Sequence, residues 1–283
     1  MIIWLASYPK SGNTWLRAFL SSYLYLDSNS QSFHFDILKK IERFPHPEQF
    51  ENIGILPQNI KNFEEVVKAW IPLQKKINEN KKINFLKTHN AFGSLNNYPF
   101  TDKNNTLGLI YLVRDPRDVL ISYSKHLNKD LDKTLKYILT DNHMGILHSK
   151  INVNSELRGS WNQNYNSWKN FSLAEKIIIR YEDLAKDPFN TFSKVVNYLK
   201  KLFEKKSLFL AFDEEKIRKC IEITNFNNLQ NLEKRKGFKE GITSNELFFN
   251  KGKIEQWKEE LDEKILYKIE KKLKKEMKEL NYL

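Results

Sequence analysis

The sequence is poor in cysteine, with a single one, Cys220, among 283 residues. That excludes an internal disulfide and a cysteine-based zinc site, and it fits a reduced, intracellular setting. Long apolar runs are missing as well. No stretch approaches the ~20 residues that a membrane span requires. The N-terminus has no basic segment followed by a long apolar one, so no signal peptide is expected. Internal repeats and low-complexity linkers are absent too. These absences point to a cytoplasmic protein folded as a single domain over residues 1–283.

What is present suits a large core. Hydrophobic residues make up 40% and aromatic residues 13% of the chain, which argues against global disorder. Lys and Arg number 47 against 35 Asp and Glu, a formal charge of +12. A basic surface attracts anions, from nucleic acid to sulfated or phosphorylated small molecules. Runs such as EKKLKKEMKEL are nonetheless ordinary solvated helix faces. Nucleic-acid binding is not expected, because no reading motif and no interleaving of aromatic with basic residues accompanies the charge.

Four short apolar runs read as buried strands: residues 2–6, 83–87, 107–113 and 176–181. Their density in Ile, Leu and Tyr suits parallel strands covered on both faces. Helical stripes lie between and after them. Trp15, Leu16, Phe19, Leu20, Tyr23 and Leu24 form one; Phe192, Val195, Val196 and Leu199 another; Leu261, Ile265, Leu266, Ile269, Leu273 and Leu280 a third. Alternating strands and helices imply an α/β fold with a central parallel β-sheet flanked by helices. Ligands of such folds bind at the carboxyl ends of the strands.

Ser7-Tyr8-Pro9-Lys10-Ser11-Gly12-Asn13-Thr14 occupies such a place, after the first strand and before a helix starting near Asn13. The first amides of a helix favour an anion. Gly12 lets backbone approach a ligand, Ser11 and Thr14 carry hydroxyl donors, and Lys10 adds a charge. The common nucleotide loop G-x-x-x-x-G-K-[ST] is not matched: Lys10 precedes Gly12, and no first glycine exists. A helix cap at Ser11 beside a surface lysine is the plainer alternative.

With Trp15 added, this stretch resembles the 5′-phosphosulfate loop of cytosolic-type sulfotransferases. These enzymes use 3′-phosphoadenosine 5′-phosphosulfate (PAPS) and usually show Y-P-K-S-G-T-T-W, with Asn13 here in place of a threonine. The likeness continues in order. Lys87-Thr88-His89 looks like the family's K-T-H. Arg114-Asp115-Pro116-Arg117-Asp118-Val119-Leu120-Ile121-Ser122-Tyr123 is similar to the 3′-phosphate motif, with Arg114 and Ser122 eight apart. Tyr181-Glu182-Asp183 resembles Y-E-D, and Thr224-Asn225-Phe226 fits T-x-F. Residues 248–257, FFNKGKIEQW, resemble F-x-R-K-G-x-x-G-D-W.

The resemblance implies a P-loop NTPase-like sulfotransferase fold and a reaction moving a sulfuryl group from PAPS to a hydroxyl or amine. The product is adenosine 3′,5′-bisphosphate (PAP). It implies His89 as general base, with Lys10 and Lys87 stabilising the transition state. It further implies Lys10, Ser11, Gly12, Asn13, Thr14 and Trp15 around the 5′-phosphosulfate, and Arg114 and Ser122 at the 3′-phosphate. Tyr181, Thr224 and Phe226 fall near the adenine, and Lys251, Gly252 and Lys253 complete the 3′-phosphate site. No metal is called for, and His34, His46, His126, His143 and His148 show no metal spacing.

Some positions depart from the pattern. Asn250 stands where the family has an arginine, and Glu255-Gln256 replace Gly-Asp. Arg235-Lys236-Gly237 supplies a literal R-K-G, but Phe249 and Trp257 keep the family's frame around residues 251–253. Trp161 and Trp168, seven apart, are expected as helix core. The family's dimer segment is not recognisable, which leaves the oligomeric state open. The acceptor is a small molecule, a glycan or a lipid. A catalytically weak nucleotide-binding relative and an ATP-dependent kinase of related architecture are the alternatives.

Overall fold

In the computed structural model, which describes residues 1–27, 30–145, 153, 155–238, 240 and 247–283, the four expected strands form within two residues of the sequence-based ends. The strands in chain order are β1 (Ile2–Ser7), β2 (Glu42–Arg43), β3 (Asn84–Thr88), β4 (Ser94–Leu95), β5 (Tyr98–Pro99), β6 (Thr106–Val113), β7 (Met144–Gly145), β8 (Glu156–Leu157) and β9 (Glu175–Arg180). The main sheet runs β2-β3-β1-β6-β9, and β4-β5 and β7-β8 are separate pairs. β1 and β6 are buried along their whole length, as an unbroken apolar run requires when both faces are covered.

The chain divides into two compact units. One holds Met1–Tyr8, Ile41–Tyr111 and Asp141–Ile178; the other holds Pro9–Lys40, Leu112–Thr140 and Ile179–Leu283. In the first unit, β1 pairs in parallel with β3, Leu5 opposite Lys87 and Ala6 opposite Thr88. β2 joins the far side of β3, with Arg43 opposite Lys87. The core there is aromatic: Trp4 packs on Phe44 and Phe100, and Phe100 on Trp70 and Trp168. Trp161 and Trp168 are fully buried on the Trp161–Lys169 helix, matching the core reading.

The second unit carries most of the helices. The first apolar stripe lies on Asn13–Tyr25 and the second on Pro188–Glu204. The third covers Glu263–Glu279, with Leu261 and Leu280 just beyond its ends. An apolar cluster of Ala18, Phe33, Ile37, Leu38, Leu229, Leu232 and Phe249 takes in Trp15, Phe226 and Phe248 at its edge. Among the described residues no helix is long and apolar enough to cross a membrane.

Candidate active site

The loop after β1 is built from two left-handed residues. Lys10 has φ 66° and Gly12 φ 97°. A lysine in that region is uncommon, and such backbone outliers gather at functional sites. Gly12, rather than Ser11, is the residue before the helix, and it provides no side-chain cap. A Cβ there would lie 2.4 Å from the Tyr181 ring, so the glycine is required by both conformation and space. Ser11 is fully buried, and among the described residues its Oγ has no hydrogen-bond partner. The indole Nε1 of Trp15 is buried and likewise unpartnered. Two buried donors without acceptors are costly unless something supplies them. Asn13 and Thr14 are buried in the same first helical turn.

Arg114, buried just past β6, organises the second unit's site. Its Nη1 donates to the Lys10 carbonyl at 3.2 Å and its Nη2 to the Lys253 carbonyl at 2.8 Å. The guanidinium lies 4.4 Å from the centre of the Tyr181 ring. The Tyr181 hydroxyl donates to the Gly252 carbonyl at 2.8 Å. Gly252 has φ 64°, and a Cβ on it would strike Phe226 at 2.3 Å. Asp118 accepts from the amides of Glu255 at 2.8 Å and Trp257 at 3.1 Å, pinning the far end of the segment. Burial pushes its carboxyl up, against the pull of Arg114 3.9 Å away. Asp118 thus pairs loosely with Arg114 and mainly serves backbone amides. Lys10 Nζ lies 3.8 Å over the ring of Phe248.

Lys10, Gly12, Trp15, Arg114, Tyr181, Phe226, Gly252 and Lys253 are thus joined by direct contacts. Trp15 meets Tyr181 edge-on at 6.2 Å. Other expected residues make contacts of their own. Ser122 is partly buried on the Pro116–Leu127 helix. Thr224 donates to the Cys220 carbonyl, capping a helix end. Lys251 pairs with Glu260 at 2.7 Å, a hydrogen bond that raises its pKa. The decoy Arg235-Lys236-Gly237 ends the Phe226–Lys236 helix, and Arg235 Nε bonds within its own helix. His148 lies outside the described residues.

The first unit holds His89 and Lys87. The β1–β3 register brings Ser7 beside the end of β3, and His89 Nδ1 lies 2.8 Å from the Ser7 carbonyl oxygen. Burial, reinforced by the Lys87 charge, drives the imidazole pKa from 6.5 down to about 3. The segment is locked from behind. Asn164 donates to the His89 carbonyl at 3.0 Å and accepts from the Tyr111 hydroxyl. Asn90 accepts from the Leu157 amide, and its carbonyl takes the Trp168 indole N–H. Glu156 is fully buried, which would raise its pKa, but Arg43 and Arg158 hold it at about 2. Neither this carboxylate nor Asn164 stood out in the sequence, because neither belongs to a motif.

Residues 2–281 match the sulfotransferase domain. The chain is similar to the flavonol 3-sulfotransferase of Flaveria bidentis, 24% identical over 95% of this chain and 79% of the relative. It is also similar to the luciferin sulfotransferase of Photinus pyralis, 26% identical over 96% of this chain and 70% of the relative. Among solved structures, retinol dehydratase in complex with retinol and PAP shares the fold with a TM-score of 0.61. Its identity is 19%, over 98% of this chain and 81% of that one. Mouse sulfotransferase SULT7A1 complexed with PAP gives 0.59 at 20% identity, over 98% and 84%. A family match over nearly the whole chain leaves no ambiguity, and the protein belongs to the sulfotransferase domain family.

Proposed function

We propose that this enzyme transfers a sulfuryl group from PAPS to a hydroxyl or amine and releases PAP. The observation that carries the reading is the loop after β1. Its buried Ser11 hydroxyl, unpartnered among the described residues, stands beside left-handed Lys10 and Gly12 at a helix N-terminus. That donor set fits a phosphate or phosphosulfate group. PAPS supplies the activated sulfuryl group, bonded to a phosphate that leaves.

The chain's residues divide the remaining work. A carbonyl oxygen only accepts, so the 2.8 Å contact to Ser7 places the imidazole proton on Nδ1 and leaves Nε2 bare. Neutral His89 with a bare Nε2 takes the proton of the acceptor as its oxygen or nitrogen bonds to sulfur. Only Tyr8 and Pro9 separate Ser7 from Lys10 in the chain. Lys10 offsets the negative charge growing on the phosphate oxygen as the old bond breaks, and Lys87 steadies the sulfuryl oxygens. Arg114 grips the 3′-phosphate, with Ser122 as a further donor. The flat aromatic faces of Tyr181 and Phe226 suit the adenine. The relatives that act on flavonols and luciferin support a small-molecule acceptor.

Calorimetric titration with PAP, 5′-AMP and ATP-Mg²⁺ tests the reading. Tight PAP binding with AMP at least ~10-fold weaker, about 1.4 kcal/mol, is expected. Preference for ATP-Mg²⁺, or no nucleotide binding, overturns it.

A further inference from the structure

The segment carrying Gly252 and Lys253 is short of the arginine its family uses, since Asn250 stands there. It is nevertheless tightly held, and the holding group is a carboxylate outside every motif. Glu233 is buried on the Phe226–Lys236 helix. Its Oε1 accepts from the Phe248 amide at 2.6 Å and its Oε2 from the Phe249 amide at 2.9 Å. One turn earlier, Gln230 Nε2 donates to the carbonyls of Phe249 at 2.7 Å and Asn250 at 2.8 Å. Four successive hydrogen bonds thus tie residues 248–250 to this helix. The same helix begins with Phe226, whose ring fills the space over Gly252.

We infer that Glu233, assisted by Gln230, is a positioning residue for 3′-phosphate recognition; this rests on the PAPS reading above. Clamping residues 248–250 presents the Gly252 carbonyl to the Tyr181 hydroxyl and the Lys253 carbonyl to Arg114 Nη2. Those carbonyls aim the guanidinium and the ring. Burial lowers the local dielectric and strengthens each of these hydrogen bonds. The clamp sets the direction of the one arginine expected to meet the 3′-phosphate. It takes over, through backbone, the ordering that a direct arginine at position 250 would supply. Glu233 touches no nucleotide itself; it acts through Arg114.

The test compares PAP with 5′-AMP, which differ by the 3′-phosphate alone, on wild type, Glu233→Ala, Glu233→Gln and Gln230→Ala by calorimetry. The ratio of the two dissociation constants is the readout. In Glu233→Ala it is expected to fall about tenfold. Glu233→Gln keeps one acceptor oxygen and falls less, and Gln230→Ala falls least. A general structural role weakens both nucleotides equally and leaves the ratio unchanged, which overturns the inference, as does an unaltered ratio with unaltered affinities. Should Glu233→Ala fail to fold, the ordering of the other two variants against wild type decides by the same criterion. Wild type without any preference for PAP overturns the PAPS reading itself, separately from the clamp.

Discussion

His89 Nδ1 and the carbonyl oxygen of Ser7 lie 2.8 Å apart, a contact between the ends of two parallel strands. It assigns the tautomer, because only the nitrogen bears a proton to donate. The ring is oriented by Ser7, whose carbonyl lies 2.8 Å and whose hydroxyl lies 3.2 Å from Nδ1, and replacing the ring should separate chemistry from binding. His89→Ala is expected to lower turnover by at least ~10²-fold, the lower end of what a positioned base contributes. PAP affinity should stay within about threefold. Calorimetry beside steady-state rates checks this, and a large loss of PAP binding would remove the base role.

The depressed pKa of His89 predicts a pH dependence. The neutral ring is the active form, and burial with Lys87 places its protonation at about 3. No inflection in rate near pH 6.5 is expected from this residue. Stability follows the same sign. Between the unfolded value of 6.5 and the folded value of about 3, the unfolded chain binds the extra proton. Stability present above pH 6.5 is thus lost as pH falls through that window, by up to about 1.4 kcal/mol per pH unit. His89→Asn keeps a donor for Ser7 but cannot titrate. Its urea midpoint should vary less between pH 6.5 and 4 than that of wild type. Equal slopes would mean that the ring titrates normally.

Gly12→Ala places a Cβ 2.4 Å from Tyr181 at φ 97°. The strain of a non-glycine residue there costs on the order of 1–3 kcal/mol, before the displaced ring is counted. Melting temperature is expected to drop by several degrees, and the ring shift should weaken nucleotide binding with it. A variant as stable as wild type would show that the loop can yield.

Arg114→Ala should weaken PAP roughly 10- to 100-fold, the range of a lost charge-assisted hydrogen-bond pair. AMP should be far less affected. Arg114→Lys keeps the charge without the fork that reaches both Lys10 and Lys253, so it should fall between the two. Equal weakening of PAP and AMP in a titration would take Arg114 out of the 3′-phosphate site.

Phe248 carries the ammonium of Lys10 3.8 Å over its ring. Contacts of this kind are worth about 0.5–2 kcal/mol. Phe248→Leu should lower the single-turnover rate about threefold to tenfold at saturating PAPS, while Phe248→Tyr, which keeps the ring, should not. Equal rates for Leu and Phe would show that Lys10 is held by other means.

The strands and the order of the motifs were legible because both are local. An apolar run such as residues 107–113 shows its burial in its own composition, and Asn13–Tyr25 shows its stripe within four turns. The edge strand Glu42–Arg43 and the pair Glu156–Leu157 with Met144–Gly145 were not legible. Two-residue strands have no periodicity, and their pairing depends on partners far along the chain. Helix Phe63–Asn78 has a regular apolar face but no motif that marks it.

By itself the sequence determined that a lysine-, glycine- and hydroxyl-bearing loop follows the first buried strand. It determined too that a histidine ends another strand and that an arginine follows a third. Tertiary structure decided which of two Lys-Gly segments meets Arg114. Lys253 does so across 139 residues, while among the described residues Arg235 bonds within its own helix. It also decided the tautomer of His89 and the clamp of Glu233 on Phe248 and Phe249. Periodicity and spacing are set by bond geometry over a few residues and can be read along the chain. A hydrogen bond between distant segments exists only where packing has excluded water and brought donor to acceptor, and that requires the fold.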